Sequence, residues 1–222
     1  MDRRRAVAIE AGGVVLEGVL EMPARASGIV VFAHGSGSSR HSPRNQLVAQ
    51  VLREHGMGTL LVDLLSPDEE EIDRRTRELR FDIPLLASRL EGIGTWVRAN
   101  VDGDGAIPLG YFGASTGAAA ALIAAADQGD AVAAVVSRGG RPDLAGDALG
   151  RVTAPTLLIV GGDDVDVLAL NRKALERLAG TSRLLVVPGA THLFEEPGTL
   201  EVAAAVAAGW FAEAFGRRRD AA

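Results

Sequence analysis

Cysteine is absent from the 222-residue chain, which removes disulfides, thiolate metal ligands and a cysteine nucleophile together. No long basic block occurs: 23 Lys and Arg against 29 Asp and Glu leave a net charge of −6 and a pI near 5.3. That balance argues against nucleic-acid binding as the main task. Lysine is nearly missing, Lys173 standing alone among the basic residues. A compositional bias toward Arg explains this more simply than adaptation to heat, whose proteome-wide signature is Lys and Glu enrichment. The longest apolar run, Ala118–Ala126, is about half of what a membrane span requires. Met1–Arg5 is basic, but Glu10, Gly12, Gly13 and Glu17 interrupt the stretch behind it, so no export signal, no membrane partner and a cytoplasmic location are expected. The four histidines lack ligand spacing, so neither a metal nor another cofactor is expected.

What is present is ordinary globular material, 47% hydrophobic and 23% charged, with a mean hydropathy of +0.16. One α/β domain absorbs this length, so residues 1–222 are read as a single domain, with Arg217–Ala222 a frayed tail. Residues 14–20 and 28–34 are apolar runs around a Pro23–Gly28 turn, expected to form an opening hairpin that leads into a buried strand. A helix is expected over 43–56 and a strand over 59–62, followed by helical pattern over 68–100 with a second helix opening at Pro84. In that pattern Glu70–Arg74, Glu71–Arg75 and Asp73–Arg77 stand four apart with the acid first, a spacing typical of a solvated face. Strands over 107–112, 132–137, 156–160 and 184–187 alternate with helices over 115–128, 167–179 and 199–215. The pattern predicts a mostly parallel, doubly wound sheet with helices on both faces.

In such sheets the chemistry sits on loops beyond the carboxyl ends of strands. After strand 107–112 the chain reads Gly113-Ala114-Ser115-Thr116-Gly117, a G-x-S-x-G nucleophile elbow. With 27 glycines and ten serines in 222 residues, chance supplies about 0.15 such pentapeptides. The alternative is a Gly-rich turn with Ser115 as helix N-cap. A serine hydroxyl needs a base, and His192 follows strand 184–187. His34 and His41 lie in the loop after strand 28–34, and His55 in a helix tail. The base needs a carboxylate, and Gly161-Gly162-Asp163-Asp164-Val165-Asp166 offers three at one strand end. Asp164 is favoured, with Asp163 and Asp166 as alternatives. The order Ser115, Asp164, His192 matches that of the nucleophile-elbow hydrolases. Oxyanion donors are expected from the backbone N–H of Thr116 and, in the loop His34-Gly35-Ser36-Gly37, that of Ser36. A Gly-rich loop ahead of a helix can also cradle phosphate, but the P-loop Lys-Ser/Thr and a G-x-G-x-x-G in Rossmann context are missing, so nucleotide binding is not expected.

With these four loops in view, the chain resembles the α/β-hydrolase family, and within it the small dienelactone-hydrolase-like branch that lacks a large cap. The likeness rests on His34–Gly37, Gly113–Gly117, Gly161–Asp164 and Gly189–Phe194. By analogy the acid stands three residues after the first Gly of its segment, which points to Asp164. Dienelactone hydrolases proper use cysteine where this chain has Ser115, and the resemblance therefore implies general hydrolysis of a small-molecule carboxylic ester, short acyl or lactone-like, through an acyl-enzyme. Only roughly 18 residues separate strands 132–137 and 156–160, too few for a large lid. Arg40, Arg44, Arg80 and Asp82 are read first as solvated or helix-pairing charges. An acyltransferase on the same triad, or a non-catalytic ligand-binding protein of this fold, are the rival functions, and a homo-oligomer is compatible with either.

Overall fold

β-Branched and aliphatic runs dictate the centre of the molecule. In the computed structural model, which describes residues 3–101 and 107–220, the strands β1 (Arg3–Ala11), β2 (Val14–Met22), β3 (Ile29–Ala33), β4 (Gly58–Val62), β5 (Leu109–Ala114), β6 (Val132–Arg138), β7 (Thr156–Gly161) and β8 (Ser182–Val187) form one sheet. Its spatial order is β1-β2-β4-β3-β5-β6-β7-β8. From β4 to β8 all pairs are parallel, while β1–β2 and β2–β4 are antiparallel. Every residue of β3 through β7 is buried, as a sheet covered on both faces requires.

Among the described residues the α-helices are α1 (Pro43–Glu54), α2 (Pro67–Thr76), α3 (Ile83–Asn100), α4 (Thr116–Gln128), α5 (Val165–Leu175) and α6 (Thr199–Asp220). Period-two alternation sorts the strands between two cores. Val31 and Ala33 of β3 pack with Leu86, Leu90 and Ile93 of α3 and the alanines of α4, whereas Val30 and Phe32 meet Val48 and Leu52 of α1 and Phe211 and Phe215 of α6. Each such large apolar side chain removed from water contributes about 1.5–3 kcal/mol. The helices start where their caps direct. Ser42 precedes Pro43, Ser66 and Glu69 form a reciprocal capping box on α2, and Asp82 accepts from Leu85 N–H at 3.0 Å to open α3.

Three expectations are corrected. The opening hairpin does not join 14–20 to 28–34. Its strands are β1 and β2, linked through Gly12 and Gly13, both at positive φ, and β4 lies between β2 and β3. β1 alternates, with Ile9 and Ala11 inward and Ala8 and Glu10 outward, a half-buried edge pattern masked by its basic start. Asp73 is not on a solvated face: its side chain is 1% exposed and pairs with Arg80, Nε to Oδ2 at 2.5 Å, instead of Arg77. Finally, the chain stays helical through Asp220, so the expected frayed tail from Arg217 does not form there, while Ala221 and Ala222 lie outside the described residues, as do Met1 and Asp2 of the basic start. The connection between β6 and β7 holds only short 3-10 turns over Pro142–Arg151, and among the described residues there is no large cap. Among the described residues no helix is long and apolar enough to cross a membrane.

Candidate active site

Ser115 occupies the turn between β5 and α4 at φ 51° and ψ −122°, a strained conformation for a residue with a Cβ. Its side chain makes no capping bond to the helix, which removes the N-cap reading. The backbone crowding around it explains the small neighbours. A Cβ at Gly113 would stand 2.4 Å from Ala118 Cα, and one at Gly117 only 2.2 Å from the carbonyl oxygen of Ala33 in β3.

His192 lies in the loop after β8, which is tied down locally. Thr191 donates to Glu196 through both its N–H, at 3.0 Å, and its hydroxyl, at 2.6 Å. These bonds hold the Glu196 carboxyl below its ordinary range. Phe194, buried at φ 56°, completes the bend. The acid loop after β7 is stitched to the same segment, Gly162 N–H donating to Val187 O at 2.8 Å and Asp163 N–H to Ala190 O at 3.0 Å.

That stitching selects among the three carboxylates. Asp164 stands at the N-cap position of α5 without capping it, and its Oδ2 instead accepts from His192 Nδ1 at 2.7 Å. Asp163 and Asp166 are exposed, and the imidazole pairs with Asp164 instead of either. Because an ionised carboxylate only accepts, the proton sits on Nδ1 and Nε2 is left as the basic nitrogen. Ser115 and His192 line one cavity of about 270 Å³, together with Ser36, Arg44 and Arg138. Larger grooves of about 400 Å³ beside Arg53 and about 290 Å³ beside Asp63 contain neither Ser115 nor His192.

The residues expected to supply the oxyanion donors, Ser36 and Thr116, meet through a bond the sequence did not foresee. Ser36 N–H is engaged, donating to Thr116 Oγ1 at 3.0 Å. Neighbouring His34 holds this loop: its Nε2 accepts from Leu64 N–H at 3.2 Å, which puts the ring proton on Nδ1, and Nδ1 donates to Gly35 O at 3.0 Å. Of the rim charges, Arg40 binds Asp63 and Glu17, Arg80 binds Asp73 and Asp82 caps α3. Arg44 alone of these four lines the Ser115 cavity. His55 caps the end of α1, its Nδ1 2.8 Å from Val51 O.

Sequence reasoning passed over Arg138, the last residue of β6, which is buried against Ser115 and His192 in the cavity wall. The available signal was a lone guanidinium closing a strand that is apolar up to Ser137, immediately before Gly139 and Gly140.

Comparison with known proteins places the chain in a family. Dienelactone hydrolase from Anabaena variabilis matches with a TM-score of 0.93 and 57% identity, covering 96% of this chain and 98% of that one. The chain belongs to the dienelactone hydrolase family. Within the wider α/β-hydrolase fold, Est1E from Butyrivibrio proteoclasticus matches with a TM-score of 0.78 at 17% identity, over 95% of this chain and 99% of that one. A Mycobacterium tuberculosis protein named "Putative phosphoribosyl transferase" is 59% identical over 209 residues, 94% of this chain. The chain spans 46% of that relative's length. No family model matches the chain.

Proposed function

We propose that this dienelactone hydrolase family member is a serine hydrolase of carboxylic esters, short acyl or lactone-like. The observation that carries the reading is the 2.7 Å contact of His192 Nδ1 with Asp164 Oδ2, in a side chain that shares its cavity with the strained Ser115. In this reading His192 Nε2 takes the Ser115 proton as Oγ attacks the ester carbonyl. The backbone N–H groups of Thr116 and Ser36 meet the developing oxyanion, Ser36 turning its N–H from the Thr116 hydroxyl. Collapse expels the alcohol with the proton held on His192. Water then gives its proton to the same nitrogen, attacks the acyl carbon, and releases the acid and free Ser115.

The transferase in the name of the mycobacterial relative belongs to a protein with over half its length outside the match. For this domain the ester-hydrolase reading is favoured because Ser115, His192 and Asp164 supply a nucleophile, base and orienting acid. Labelling by a fluorophosphonate and release of p-nitrophenol from short p-nitrophenyl esters test it. Rapid, stoichiometric modification of Ser115 with catalytic turnover is the expected result. An unlabelled serine and no turnover across short esters and lactones would overturn it.

A further inference from the structure

Arg138 is 7% exposed, and its Nε and Nη1 have no hydrogen-bond partner. It pairs with no carboxylate among the described residues; its one described attractive contact for the charge is with the ring of Phe194, 5.8 Å from guanidinium carbon to centroid. A ring face attracts a cation but leaves its N–H donors unsatisfied. Burial, reinforced by the charge of Arg44, pulls its pKa down to about 10. Arg44 lines the same cavity, binding Glu195 at the rim at 3.2 Å while its own Nε stays buried and unpartnered. Two guanidiniums therefore converge on one space whose lining contains no carboxylate. Ser38, Ser42 and the first turn of α1, with its positive helix end, complete the wall.

A buried cation held beside another cation, with donors unspent, is stable only if an anion joins it. We infer that the cavity beside Ser115 receives a substrate bearing a phosphate group, bound by Arg138 and Arg44 at the N-terminal turn of α1. A phosphate carries close to two negative charges at neutral pH, against the two guanidiniums, and its tetrahedral oxygens reach donors arriving from different elements. A single carboxylate is the planar partner of one guanidinium fork, leaving the second charge uncompensated. The acyl half of this inference rests on the ester-hydrolase reading, whereas the anion site stands on binding alone.

The test is calorimetric titration of the full chain with inorganic phosphate, alongside kcat/KM for matched acyl esters bearing a phosphate, a carboxylate or no charge. Saturable phosphate binding is expected, weakened about tenfold or more by either Arg138→Met or Arg44→Met, the usual scale for a charged hydrogen bond. The phosphate ester should exceed the neutral ester in kcat/KM by about tenfold or more, a preference that collapses in either variant through KM. Arg44, on the cavity's open side, decides the matter if Arg138→Met does not fold. No saturable binding, or binding indifferent to both substitutions, overturns the site. A carboxylate ester equal to the phosphate ester overturns the choice of anion. Arginine-dependent phosphate binding in a protein that cleaves no ester would leave this inference standing and remove the hydrolase reading.

Discussion

The backbone N–H of Ser36, in the loop after β3, donates across 3.0 Å to the hydroxyl of Thr116, the first residue of the helix after β5. Two loops from adjacent parallel strands are thereby locked in register beside Ser115. Thr116→Val keeps the shape and the backbone N–H but removes the acceptor of a part-buried bond from the exposed Ser36, at a cost of about 0.5–1.5 kcal/mol. Urea unfolding should show a lower midpoint for Thr116→Val and a near-native one for Thr116→Ser. Equal midpoints for the two variants would show that the bond contributes nothing.

Ser115→Ala should leave circular dichroism and melting behaviour near those of the parent while turnover of a short p-nitrophenyl ester falls at least about a thousandfold, because only binding and oxyanion assistance remain. Residual activity within tenfold of the parent would assign the nucleophile elsewhere.

Asp164→Asn replaces the acceptor facing His192 Nδ1 and permits the wrong tautomer. A drop of about a thousandfold or more in kcat is expected. Asp163→Asn, on the same loop, and Asp166→Asn, in the first turn of α5, are both exposed and should stay within about threefold, as surface changes usually do. Kinetics of the three variants side by side separate them, and a comparable loss at Asp163 would reassign the acid.

Burial pushes the Asp73 carboxyl upward, but the hydrogen bonds and charge of Arg80, aided by Leu79, outweigh it and hold the group below its ordinary value of 3.8. A depressed acid adds stability that is complete above the unfolded value, near 4, and disappears as pH falls through the folded one. Asp73→Asn should therefore cost about 2 kcal/mol at pH 7 and much less near pH 3. Denaturant titrations at the two pH values read this directly, and a gap that widens in acid would reverse the assignment.

Gly117→Ala sets a methyl 2.2 Å from the carbonyl oxygen of Ala33, a backbone atom that cannot step aside. Loss of about 3 kcal/mol or more is expected, visible as a lower melting temperature. An unchanged melt would mean that the elbow and β3 are not in contact in solution.

The legible parts of this molecule were those with local chemistry. A serine between small residues at a strand end, a histidine after the last strand and an acid after β7 are each visible within a few letters, and the parallel sheet announces itself through apolar strands alternating with helices. Long-range pairing was less legible. β1 hid behind its arginines, because its inward residues Ile9 and Ala11 are few and the partner across the hairpin is specified by Gly12-Gly13. Asp73 looked like one more helix-surface acid, since nothing in a four-residue spacing shows that the turn at Leu79–Phe81 folds Arg80 back onto it. Asp164 was favoured from sequence, but Asp163 and Asp166 stayed open because the alignment of the acid and histidine loops depends on backbone bonds between distant segments. Arg138 was missed because a buried charge acquires meaning only from what surrounds it.

The short crossing from β6 to β7 leaves nothing to swing over the bound molecule. Discrimination between substrates thus falls to fixed walls, so exchanging side chains at the mouth should retune preference without touching any hinge, and entry and departure should run at diffusional speed instead of waiting on a gate.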